Sequence, residues 1–221
     1  MVALVGEDEK LRRALNGVAV HGVLGRGRCG LVLEVSKKRR GERFAAKVFR
    51  DSWENARCEY ELARWAAERG LGPRVFPMEC DADTHPVLWM DLLPLTLVSS
   101  FQADFAQAQA QWQSAFDLLD EGNFATQSSG VEAWFCCDDL KPHNIVFSPR
   151  HERSTRLVDW DPRHWHSLPL PPREGRFLNQ FFLILNSALP LCAPGPHPLV
   201  QLQGLWPDRQ AQRLLALCAL G

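Results

Sequence analysis

The stretch CCDDLKPHNIVF, residues 136–147, sets two adjacent acids, Asp138 and Asp139, ahead of Lys141 and places Asn144 five residues after the second acid. Two carboxylates, an ammonium and an amide are costly to bury without partners. Two environments suit them: a turn that stays wet, or a site that positions a metal and a phosphate. Further on, LVDWD at 157–161 puts Asp159 behind an apolar pair and Asp161 two residues later. Asp159 and Asn144 are the oxygen donors that a hard ion such as Mg2+ takes when phosphate completes its shell. Asp139 has the chemistry of a base that orients an attacking hydroxyl. Lys141 has that of a cation neutralising a phosphoryl group in flight.

Two upstream motifs extend this chemistry. LGRGRCGLV, residues 24–32, opens on Leu24, spaces Gly25, Gly27 and Gly30 as G-x-G-x-x-G, and ends on Val32. Glycines let the backbone turn sharply and bring its N–H groups close to phosphate oxygens. A strand follows the third glycine where a dinucleotide-binding fold would need a helix, which disfavours that fold. FAAKVF, residues 44–49, places Lys47 inside an apolar strand. Lysine is rarely buried unless paired. Its functional reading is a cation aimed at phosphates and held by an acid of the next helix. Glu59 and Glu61 are the candidates; they stand about 200° apart on a helix, so only one can face Lys47. Glu59, three residues before the apolar Leu62, is the expected partner.

The elements that must position these groups follow from hydrophobic period and turn chemistry. Strands are predicted over 18–24, 30–35 and 43–49, forming an antiparallel meander. A helix is predicted over 53–69, with Trp53, Ala56, Tyr60, Ala63 and Ala67 on one face, Ser52 as N-cap and Gly70 just past its end. A short strand or connector is predicted over 86–93, a second helix over 103–120 and a loop over 123–130. Further strands are predicted over 132–137, 144–148 and 156–159, the last two paired. Two helical segments, 177–189 and 207–220, close the list. This order predicts an α+β fold of two lobes: residues 1–90 as an antiparallel sheet plus one helix, and 91–221 as an abbreviated, mainly helical half. Together they make one domain.

Composition narrows the partners. The 221 residues carry a net charge of -1, so no overall field draws the chain to nucleic acid or an anionic membrane. No nucleic-acid partner is expected. Seven cysteines without CxxC spacing point to reduced thiols and a cytoplasmic location. KKRR at 37–40 reads as a solvated hairpin turn, with a nuclear address as the alternative. The charged N-terminus is not that of a signal peptide. No apolar run reaches the roughly 18–20 residues of a membrane span. The nearest, Leu178 to Leu191, is interrupted by Asn179, Gln180, Asn186 and Pro190. His164 and His166 flank Trp165 on a predicted loop without a third ligand, which reads as a surface or substrate contact. The sequence carries no signal for an oligomeric state.

As a set, over roughly residues 18–165, these motifs resemble the protein-kinase-like superfamily. Gly25, Gly27, Gly30 and Val32 match its Gly-rich loop, and Ala45 and Lys47 match its V-A-I-K strand. Asp139, Leu140, Lys141 and Asn144 match its catalytic loop, and Asp159 matches the first acid of D-F-G. The resemblance implies ATP and Mg2+ as cofactors and transfer of the γ-phosphate to a Ser/Thr hydroxyl of a protein. It implies that Val32 and Ala45 cover the adenine, and that backbone groups of the connector around Met90, Asp91 and Leu92 bind its edge. Two departures stand out. Cys137 and Asp138 occupy the places of His and Arg, so a phosphorylated activation loop has no obvious partner. D-W-D replaces D-F-G, and such D-x-[DE] endings are similar to small-molecule kinases of the aminoglycoside and choline type. Sixty residues follow Asp161, without an A-P-E. The alternatives are therefore a small-molecule kinase, a nucleotide-binding pseudokinase scaffold, or an interaction protein that binds no nucleotide.

Overall fold

The computed structural model describes residues 9–37, 41–50, 52–78, 81, 83–99, 105–124, 134–148, 154–168 and 179. Strands β1 (Val18–Arg26), β2 (Gly30–Lys37), β3 (Arg43–Phe49) and β4 (Val87–Asp91) form one antiparallel sheet in the order β1-β2-β3-β4. Successive side chains on a strand point to opposite faces. One face carries Leu31, Leu33, Val35, Phe44, Ala46, Val48 and Val87, which form a buried core with Leu11 and Leu15. Leu11 belongs to a short helix α1 (Glu9–Ala14) that the sequence reading did not anticipate. Each fully buried aliphatic of this kind contributes about 1.5–3 kcal/mol. The register puts Val32 opposite Lys47, Lys47 opposite Leu88, and Ala45 opposite Met90. These residues therefore share the other face. Because β3 is buried on both faces, a lysine in its middle is buried too.

Helix α2 (Trp53–Glu68) links β3 to the segment before β4. Ser52 caps it, its side chain accepting from the Asn55 N–H at 3.3 Å, and Gly70 follows at φ +71°. The left-handed turn at Gly70 is nearly free of steric cost for glycine alone. The buried stripe is Ala56, Glu59, Ala63 and Ala66. It is rotated from the predicted one: Trp53, Tyr60 and Ala67 are only half-buried, and Glu59 turns inward to meet Lys47.

The chain divides into two compact units. The first is Met1–Pro94 with Val158–Pro162, and the second is Leu95–Leu157 with Arg163–Gly221. In the second, helix α3 (Phe105–Phe124) buries Trp112, Ala115, Phe116 and Leu119. It runs on through Asn123, into the stretch predicted as a loop. Strands β5 (Leu95–Thr96), β7 (Ile145–Phe147) and β8 (Arg156–Leu157) make one small sheet. Strands β6 (Trp134–Cys137) and β9 (Trp165–Leu168) make another. The described elements thus give an α+β fold with the expected antiparallel sheet and helix.

Three sequence expectations shift. The strand predicted over 156–159 stops at Leu157, because Asp159 adopts φ +66° and leaves the ladder. Asn144 lies in a 3-10 turn, Pro142–Asn144, rather than at the start of β7. Trp165 and His166 lie on β9, paired with β6, not on a loop. The predicted helical segments 177–189 and 207–220, residues 132–133 and the basic turn 38–40 lie outside the described residues, apart from Asn179. Among the described residues no helix is long and apolar enough to cross a membrane.

Candidate functional site

In the first unit the chemistry centres on Lys47. Its Nζ donates to Glu59 Oε1 at 2.6 Å and to Asp159 Oδ1 at 2.6 Å. Lys47 and Glu59 are buried, while the Asp159 side chain remains 38% exposed. Glu61, the other candidate, pairs with Arg64 on the exposed side of α2. Burial by itself would pull the lysine toward losing its proton. The charges of Glu59 and Asp159 outweigh it and hold the ammonium well above the ordinary lysine range. Burial pushes the Glu59 carboxyl up; Lys47 opposes this, and Asp159 and Asp161 reinforce it. The ammonium is therefore held between two acids, and Asp161 adds its charge at Glu59.

Asp159 is held by its neighbours. Its φ of +66° is unusual for a residue with a Cβ, and such strain persists only where surrounding structure enforces it. Trp160 supplies that enforcement: it is buried and meets Trp65 of α2 edge-to-face at 6.4 Å. Asp161 is also buried and accepts from the Cys29 thiol at 3.6 Å, which links D-W-D to the Gly-rich turn.

That turn joins β1 to β2, closed by the Gly27 N–H donating to the Gly30 carbonyl at 3.0 Å. Gly30 is required by the chain itself: a Cβ there would lie 2.1 Å from the Val48 carbonyl oxygen. At Gly25 and Gly27 a Cβ would meet nothing within 4 Å. The protein's own packing does not demand glycine at those two positions. Their bareness suits a turn approached from outside by a bulky group. Leu24 is exposed, and Val32 is half-buried. In the connector, the Asp91 N–H donates to the Arg74 carbonyl at 2.9 Å, and its carboxylate pairs with Arg74 at 3.1 Å. Met90 is buried and Leu92 half-buried. Met90 is likewise engaged, in register with Ala45 on β3 and bridged to Val75.

In the second unit the loop after β6 gathers the other candidates. Lys141 Nζ lies 2.5 Å from Asp139 Oδ1. The Asn144 side-chain amide donates to the Asp139 carbonyl at 3.2 Å, which leaves its oxygen as the end suited to a cation. Leu140 and Pro142 are buried beneath the loop and fix it to the core, and Pro142 opens the 3-10 turn with its preset φ. The buried β7 residues Ile145, Val146 and Phe147 anchor its far end. The structure also adds residues that the sequence reading did not assign. Asn179, taken only as a polar break in an apolar run, is buried and accepts from the Cys137 N–H at 3.0 Å. A buried amide is retained where it satisfies such a backbone donor. His164 and His166 both face Asp138.

The donor chemistry fits Mg2+ and a triphosphate. The excess of acid over base around Lys47 favours a divalent cation, and the two bare glycines leave room for phosphate oxygens. Among the described residues no group of three or more His, Cys, Asp and Glu could hold a metal unaided.

No family model and no curated protein sequence matches the chain. Among solved structures it is similar to the kinase PK-1 of Cydia pomonella granulovirus. The TM-score is 0.48 and the identity 13%, over 68% of this chain and 53% of that one. The chain thus matches about half the length of that kinase.

Proposed function

We propose that the protein is an ATP- and Mg2+-dependent phosphotransferase acting on an alcohol, with a Ser/Thr hydroxyl of a protein as acceptor. The observation that carries this reading is Lys47 held between Glu59 and Asp159, at 2.6 Å from each. A buried ammonium oriented by two carboxylates is preorganised to take phosphate oxygens. Asp159 and Asn144 would hold Mg2+. When bound, Mg·ATP supplies the phosphoryl group and the charge that draws electrons from it. Val32, Ala45 and the Met90–Leu92 backbone would hold the adenine. Asp139 would orient the acceptor hydroxyl and receive its proton, and Lys141 would offset the charge of the group in transfer. The cysteine pattern suits a reducing compartment, so the cytoplasm is the expected location.

A small-molecule alcohol is the second reading. It is favoured by Asp161, a second acid buried beside the Gly-rich turn. The test is incubation with γ-labelled ATP and Mg2+, with generic protein substrates and aminoglycoside- or choline-type alcohols run in parallel. Label on Ser or Thr of protein is expected, lost in Asp139→Asn while Mg·ATP still raises the melting midpoint of that variant. Label on the small alcohols alone supports the second reading. No transfer to any acceptor overturns both and favours a scaffold.

A further inference from the structure

Three contacts converge on Asp138, one residue before Asp139. Its N–H donates to the His164 carbonyl at 3.0 Å. Its Oδ1 lies 2.8 Å from His164 Nδ1, and its Oδ2 lies 3.2 Å from His166 Nε2. An ionised carboxylate only accepts, so His164 presents Nδ1–H and His166 presents Nε2–H. The adjoining ladder sets Cys136 opposite His166 and Cys137 opposite Trp165. Both carboxylate oxygens and the amide of one residue are therefore tied to one three-residue stretch. That leaves Asp138 little freedom to rotate, and Asp139 projects from the same short turn.

The sign of the charge is informative. The family pattern has a cation at this position, which needs an anionic partner. Here the loop carries the acid, and the segment after D-W-D carries the imidazoles. We infer that Asp138 is a positioning residue for Asp139, held by His164 and His166, so that this loop is set without a phosphate. The inference rests on the phosphotransferase reading. These side chains are partly exposed, and exposed pairs add little stability. The effect belongs in the geometry of the reacting group, where a displacement of about 1 Å can cost about 100-fold in rate.

The test compares the full-length wild type with Asp138→Leu, Asp138→Asn and the pair His164→Gln/His166→Gln. Circular dichroism tests whether each folds. Asp138→Leu should lower kcat by about 100-fold with the KM for ATP within about twofold. Asp138→Asn should restore most of the rate, since its amide can accept from one ring and donate to the other in its second tautomer. If Asp138→Leu does not fold, the histidine pair decides, with kcat again the quantity that falls. A kcat within about threefold of wild type in folded Asp138→Leu or in the folded histidine pair would overturn the inference, by the same reckoning of rate against placement. Long-range proton–nitrogen spectra of the imidazoles judge the clamp without activity. Wild type should show Nδ1–H on His164 and Nε2–H on His166, and Asp138→Leu should lose that preference. An inactive wild type with these signals would sink the phosphotransferase reading, and the role in positioning Asp139 with it, but leave the clamp standing. Tautomers indifferent to Asp138 would sink the clamp.

Discussion

Lys47 is a buried cation whose stability depends on both of its partners. Replacing it by Met leaves Glu59 buried without its counter-charge, and breaking a buried pair from one side costs about 3–5 kcal/mol. The double variant Lys47→Met/Glu59→Gln should recover part of that loss in urea melts; no recovery would mean that the pair is not what the single change breaks. The alkaline limb offers a second measurement. The folded chain holds the Lys47 proton more tightly than the unfolded chain, whose lysine titrates near 10.5. Below that pH the stabilisation is complete. As pH rises above it, the unfolded chain releases a proton that the folded chain retains, and stability falls. Wild type should therefore lose urea midpoint as pH climbs past 10.5 more steeply than the double variant. Burial also raises the Cys136 thiol to about 11, but that term is common to both proteins and cancels. Glu59 was legible from its helical phase, because only one of two acids two residues apart can face a given strand. Asp138 was not. Its partners lie 26 and 28 residues away, and short-range spacing does not carry such a contact.

Elements read from period and turn chemistry were found almost in place, since local rules decide them. The three meander strands, α2 with its Ser52 cap, and β4 each carry a strong apolar pattern or a punctuating residue. What escaped was short or decided by tertiary contact. β9 is the four residues WHSL, too short to show a period, and becomes a strand through pairing with β6. α1 is six residues long and exists to cover one face of the sheet. Within the Gly-rich turn, two glycines that look alike in the sequence should behave differently. Gly30→Ala forces its new methyl against the Val48 carbonyl and should cost about 1–3 kcal/mol or more. Gly27→Ala meets open space and should change stability by no more than about 0.5 kcal/mol. Under the proposed function it should nonetheless weaken Mg·ATP binding. Denaturant melts and a nucleotide titration on both variants check this pair of outcomes. Equal destabilisation would show that the turn packs differently.

At the scale of the whole molecule, ligand linkage tests the reading most directly. Mg·ATP at 100 times its dissociation constant should stabilise the folded state by about 2.7 kcal/mol. The same nucleotide without Mg2+ should do less, because the acids around Lys47 then face bare phosphate charge. A melting midpoint indifferent to nucleotide would favour an interaction protein. The crossing of Val158–Pro162 into the first unit was not legible in the sequence, because nothing in the local text of LVDWD states which unit it joins. That crossing means the backbone leaves the first unit after Pro94, returns for five residues, and leaves again. A fragment cut at Pro94 would keep Glu59 on its lysine but forfeit the second carboxylate and the tryptophan wedged on Trp65. The first unit is thus not a transplantable cassette: whoever grafts it elsewhere must carry those five distant residues along.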